Sequence, residues 1–183
     1  MKHIAIAALL LVAITPGSSQ QPKESSQGAG NPVVSAVRQM EERYAKNLVG
    51  AAEEMPADKY SYRPTPEQMS FAHLMVHVAQ ANNGLCSAIR GGAPSETKLS
   101  ESDSKEMLSN AVKESFANCE QVLSKADDSN LGQAAAISGG QTSTRGAALV
   151  HLVAGWADHY SMAAMDLRLN NLLPPSASKA EKH

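Results

Sequence analysis

The stretch Ser70-Phe-Ala-His-Leu-Met-Val-His-Val-Ala-Gln-Ala-Asn-Asn-Gly-Leu-Cys-Ser-Ala-Ile-Arg90 decides the fold. Phe71, Leu74, Met75, Val78, Leu85 and Ile89 recur mostly at helical spacing and share one side of an α-helix. Ser70 stands where an N-cap hydroxyl accepts a backbone amide, and Gly91-Gly92-Ala-Pro94 ends the run. The spacing predicts a helix from Ser70 to about Arg90 whose apolar stripe requires other helices to cover it.

Three further stretches supply them. Toward the amino end, Val34, Val37, Met40, Tyr44, Leu48, Ala51 and Met55 form a second stripe, with Arg38, Glu41, Glu42 and Lys46 between them, bounded by Pro32 and Pro56. Tyr60-Ser-Tyr-Arg-Pro-Thr-Pro66 cannot continue a helix, because each proline lacks an amide and displaces its predecessor from helical geometry. Toward the carboxyl end, Ser104 caps a helix carrying Met107, Leu108, Ala111, Val112, Cys119, Val122 and Leu123 to about Ala126. Asp127-Asp128-Ser-Asn130 breaks it, and Gly139-Gly140 keeps the following chain irregular. Ser143 or Thr144 opens the last helix, through Leu149, Leu152, Trp156, Met162 and Leu167 to about Asn170, before Pro174-Pro175. No strand-like alternation and no internal repeat appears. The expected class is all-α, a four-helix bundle.

Composition agrees. Apolar residues make up 43% of the 183, but aromatics only 4%, so Ala, Leu, Val and Met dominate, as in helices rather than sheets. The net charge is -2 and no two Lys or Arg residues are adjacent, which argues against nucleic acid as a partner.

The ends read differently. Lys2 and His3 precede an apolar run from Ile4 to Ile14, then Pro16, Gly17, Ser18 and Ser19. This is the order of a signal peptide over residues 1–20, its run too short for the roughly 20 residues of a membrane span. Residues 21–31 read as a flexible lead-in, 32–175 as the bundle and 176–183 as a disordered tail. No cysteine lies near Ser19 and Gln20 to carry a lipid. The expected product is exported, periplasmic or secreted, with no membrane anchor after cleavage.

Cys86 and Cys119 are the two cysteines, and an isolated pair in an oxidising compartment commonly forms a disulfide. The other arrangement is two reduced thiols packed as small apolar residues. A bridge has a topological consequence. Each cysteine lies about 15 residues into its helix, so the two meet only if the second and third helices are parallel; in an antiparallel hairpin they would be offset by about 15 Å. Bridged Cα atoms lie within about 7 Å. The disulfide therefore requires up-down-down-up connectivity.

His73 and His77 share a face of the second helix, and His159 lies on the fourth with Leu152, Gly155, Trp156 and Ala163. Imidazoles converging from facing helices are a route to a zinc or nickel site, which needs about three protein ligands. The segments Leu48-Val-Gly-Ala-Ala-Glu-Glu-Met-Pro56, Tyr62-Arg-Pro64 and Ser70-Phe-Ala-His-Leu-Met-Val-His-Val-Ala79 resemble the first half of the DinB-like (DinB/YfiT) family. Ala157-Asp-His-Tyr160, Leu167-Arg-Leu-Asn170 and Leu173-Pro-Pro175 are similar to its ending. The resemblance implies the same up-down-down-up bundle and a three-histidine divalent metal site. His77 matches one ligand and His159 the last; the remaining one falls on Gly155, which has no side chain to offer. His73 is the substitute on the face of His77. His151 lies two turns from His159 and about 80° around the helix, and Asp158 points off the stripe.

Two functions follow as expectations. The resemblance implies a metal-dependent transferase in which the metal lowers the pKa of a bound thiol. The alternative is a non-catalytic exported protein that binds a small molecule or a protein through a degenerate metal pocket, His77 and His159 being buried and neutral. The Glu53-Glu54 and Asp127-Asp128 pairs read as solvated helix ends. A homodimer through a bundle face stays open, though no exposed heptad seam argues for one.

Overall fold

The computed structural model describes residues 30–93, 98–137 and 142–177. Residues 1–20, read as a signal peptide, most of those read as a lead-in and all but the first of those read as a tail lie outside the described residues. Four helices dominate: α1 (Pro32–Glu54), α2 (Phe71–Ile89), α3 (Lys105–Leu123) and α4 (Arg145–Leu169). The expected caps are in place. Ser70 accepts the amide of His73, Ser104 that of Met107 and Thr144 that of Ala147.

The cap of α1 comes from elsewhere. Asn31 offers its helix no side-chain cap; instead the two carboxylate oxygens of Asp128 accept the amides of Val33 and Val34, each at 2.9 Å. Asn31 in turn accepts the Asp128 amide at 2.8 Å. This corrects the reading of Asp127-Asp128 as a merely solvated pair: the open amides of a helix start satisfy an anion, and here the anion arrives through tertiary folding.

A second correction concerns the connection before α4. A short antiparallel hairpin pairs β1 (Ala134–Ala136) with β2 (Thr142–Thr144), Ala134 opposite Thr144. The alanine run carries no strand signal of its own, so the pairing is set by context, with Ala135 buried beneath the hairpin.

Register fixes the topology. Asn82 hydrogen-bonds Ser115 at 3.0 Å and Cys86 is bonded to Cys119 with Cα atoms 5.4 Å apart, both pairs separated by 33 in sequence. A constant offset means that α2 and α3 run parallel. Between α2 and α4 the numbers run oppositely: His77 faces His159, and Asn82 reaches Trp156. Lys105, at the start of α3, donates to the carbonyl of Glu53 at the end of α1, so these two are antiparallel. Helices α1 and α2 are diagonal, each packing on α3 and α4. The bundle is up-down-down-up.

The core centres on Trp156, Phe71, Leu48, Met55, Leu74 and Met75, each almost fully buried. Inside it the Trp156 indole donates to Asn82 at 2.7 Å, Asn82 donates to Ser115, and Ser115 donates to the Val112 carbonyl at 2.7 Å. Every member thus finds a partner, as a buried polar chain must. Some side chains depart from the sequence pattern. Met107 and Met40, read as core, are 54% and 44% exposed, whereas Glu41, read as surface, is 5% exposed. Burial, then the neighbouring Glu120 and Glu42, push the Glu41 carboxyl up to about 7, against a smaller opposing effect of Arg38.

Candidate functional site

Helices α2 and α4 part along one side and leave a trough of about 760 Å³. Because the helices are antiparallel, its walls step in opposite directions: with His77 beside His159, the register sets Ala81 level with Gly155 and Leu85 level with His151. Small residues, Ala81, Ala154 and Gly155, give it depth, while Leu85 and Ile137 make one end apolar. Gln80 and Asp158 add polar groups to its rim.

The two matched histidines meet. Their ring centroids are 4.8 Å apart and nearly perpendicular, edge against face. They are not core residues, however. His77 is exposed and His159 half-buried, which corrects the expectation of buried imidazoles. The reason is angular: the buried stripe of α4 follows Leu149, Leu152, Trp156, Ala163 and Leu167, and His159 sits three residues, about 60°, off Trp156. Burial holds the His159 imidazole below its ordinary pKa; His77 adds to this, and Asp158 opposes it.

The substitute ligand does not join them. His73 turns to Glu101, 3.7 Å away, whose carboxylate also receives Ser70 at 2.8 Å and Arg63 at 3.3 Å. Conversely, His151 and Asp158, set aside on angular grounds, both line the trough. A gap this wide spans two helical turns, about 12 Å, so an 80° displacement does not remove a side chain from its wall. The spacing 151, 155, 158 was the available signal.

At Gly155 the space beside the helix is partly taken. A Cβ there would meet His159 Cε1 at 3.4 Å and Nδ1 at 3.8 Å, ordinary contact distances. Among the described residues no three of His, Cys, Asp and Glu come together as a metal-holding group. The three-histidine set implied by the resemblance is therefore incomplete at Gly155: two imidazoles meet beside it, while His151 and Asp158 line the same trough further along.

Residues 39–163 match the family model described as the DinB superfamily. The chain belongs to the DinB superfamily. Several solved structures share the fold. A DinB-like protein from Bacillus subtilis superposes with a TM-score of 0.61 at 18% identity, covering 74% of this chain and 92% of that one. One from Bacillus cereus gives 0.63 at 13%, covering 77% and 95%. A mycothiol-dependent maleylpyruvate isomerase gives 0.59 at 11%, covering 70% of this chain but 59% of the isomerase. No curated protein matches the sequence. The Pro174-Pro175 pair has a visible role here. Pro175 packs on α1 so closely that a Cβ on Gly50 would come within 2.9 Å of it. Ser176, read as the start of the tail, is held by the Tyr160 hydroxyl through both its amide and its own hydroxyl. No helix among the described residues is long and apolar enough to cross a membrane.

Proposed function

We propose that this DinB-superfamily bundle is an exported binding protein that takes an elongated small molecule in the trough between α2 and α4 without turning it over. One observation carries the reading: a trough of about 760 Å³, within the range of small-molecule sites, with two imidazoles at one end and a glycine where the resemblance calls for a third ligand. Its apolar end at Leu85 and Ile137, small floor and histidine-lined rim suit a ligand with an apolar body and a hydrogen-bonding head. Export is supported by the order of the first twenty residues and by the Cys86–Cys119 bridge, a crosslink typical of oxidising compartments.

The test is a ligand-observed NMR screen of apolar-bodied amide and carboxylate fragments against the mature protein and its Gly155→Leu variant, whose added side chain fills the trough. Fragments that bind the wild type and not the variant are expected. Equal binding to both would overturn the placement. For export, amino-terminal sequencing of protein recovered outside the cytoplasm should begin near Gln20 or Gln21; an intact Met1 would overturn it.

A second reading has one observation in its favour, the approach of His77 to His159. In it a divalent ion such as zinc or nickel is held by these two residues and supplies the thiol-activating chemistry for which the resemblance stands, the mycothiol-dependent relative sharing the fold. Metal content after repletion with zinc, nickel and manganese decides between them. A stoichiometric metal lost in both His77→Ala and His159→Ala would replace the first reading with the second.

A further inference from the structure

A separate cavity of about 330 Å³ opens where α2 and α3 end and α4 begins, and it shares no lining residue with the trough. Three cationic side chains line it, Arg90, Lys125 and Arg145, against one carboxylate, Asp127. That carboxylate is already engaged, accepting the Ser129 amide at 2.8 Å and the Ser129 hydroxyl. The ion pairs of the described residues involve none of the three cations. In a chain of net charge -2 this is a local excess of positive charge with a concave shape.

The simplest explanation for cations here is the pair of helix carboxyl ends, whose negative dipole they offset. It accounts for Arg90 and Lys125, which lie just beyond α2 and α3. It does not account for Arg145. Arg145 is the first residue of α4, where a cation has the wrong sign for its own helix. Its Nε is buried with no hydrogen-bond partner, a costly state for a charged donor. The backbone has made room for it: Gly91 takes a left-handed φ of 78°, and a Cβ there would lie 2.5 Å from the Arg145 Nη2. An unpaired guanidinium seated against a glycine and flanked by two further cations is a ready acceptor of an oxyanion.

We infer that this cavity is a second binding site, independent of the trough, for an oxyanion, carboxylate or phosphate, carried on a compact apolar body. The oxyanion meets Arg145 with Arg90 and Lys125, and the body rests on Ile89, Val122 and Leu131. The charge selects the head and the apolar wall excludes a bare hydrated ion.

Titration of the ¹⁵N-labelled mature protein with phenyl phosphate and with benzoate tests this, following the Arg145 Nε–Hε signal and the amides of Val122, Ala126 and Leu131. Saturable shifts with at least one probe are expected, weaker for inorganic phosphate; phosphate binding as tightly as phenyl phosphate, when benzoate does not bind, would overturn the apolar part of the site. Arg145→Gln should weaken binding by about tenfold or more, as loss of a charge-assisted pair does. Because Arg145 also touches the Gly91 turn, the exposed pair Arg90→Gln with Lys125→Gln provides a variant that leaves that packing alone and should likewise weaken binding. His77→Ala should leave it unchanged. Absence of saturable shifts with both aromatic probes, or equal binding by wild type and all the cation variants, would overturn the inference.

Discussion

The same helix, α2, makes two seams of opposite character. Against α3 it is closed: a disulfide, the Asn82–Ser115 bond and the Asn83–Asn118 bond follow one another up the parallel pair. Against α4 it is joined on its buried side by the Asn82–Trp156 bond but opens on its outer side, between His77 and Leu85, into the trough. The difference lies in side-chain size and covalency. The closed seam places polar and sulfur atoms at matched heights, whereas the open one places alanine and glycine opposite each other. A bundle can thus hold its frame on one side of a helix and leave the other free for a ligand.

The largest effect should come from breaking the closed seam. Replacing Cys86 and Cys119 with Ser, which opens a loop of 33 residues, is expected to cost about 3 to 4 kcal/mol in a denaturant titration. A loss under about 1 kcal/mol would mean that packing alone holds α2 to α3. Asn82→Ala touches both seams, because it strands the Trp156 indole and takes away the donor to Ser115, whose own bond to the Val112 carbonyl remains. It should cost about 2 to 3 kcal/mol and shift the tryptophan emission. If only stability moves, Asn82 does not fix the indole.

On the open seam the signs change. Gly155→Ala places a methyl at ordinary contact distance from His159, so helix propensity should win and thermal unfolding should show a gain of about 0.5 to 1 kcal/mol. A loss would show that the trough floor has no room. Gly155→His, tested by zinc titration, sharpens the comparison further: it should create a metal site where the wild type has two imidazoles.

The pH response of the open seam follows from His159, whose folded pKa is lowered. Between its folded value and the ordinary 6.5, the unfolded chain binds the extra proton. Its contribution to stability is therefore fully present above 6.5 and is lost as pH falls toward the folded value. His159→Gln should flatten that part of the stability profile. An unchanged slope would assign it to another group. The smallest effect is expected for His77→Ala, within about 0.5 kcal/mol, since the residue is exposed and belongs to the trough rather than the frame.

Much of the frame was legible because it is written locally. Ser70, Ser104 and Thr144 announce their helices through their own side chains, and the two cysteine positions, if bridged, require the parallel pair. His77 and His159 were found because a motif and a helical face agreed. What was not legible depends on partners remote in sequence. Glu41 is buried by α3, a fact its own stripe does not carry. His151 enters the trough because small side chains, not its angle, set the width. Arg145 draws its meaning from Gly91, 54 positions earlier, in a turn whose shape no local rule links to it.

The clasp between Asp128 and the first amides of α1 has a consequence for the order of assembly. The bonds span 95 and 94 residues, so α1 is completed by an atom made after α2 and α3 have been synthesised. Until then its opening turn has unmet donors and is free to fray. A chain lengthening from its amino end therefore finishes α1 late, once a long loop has closed.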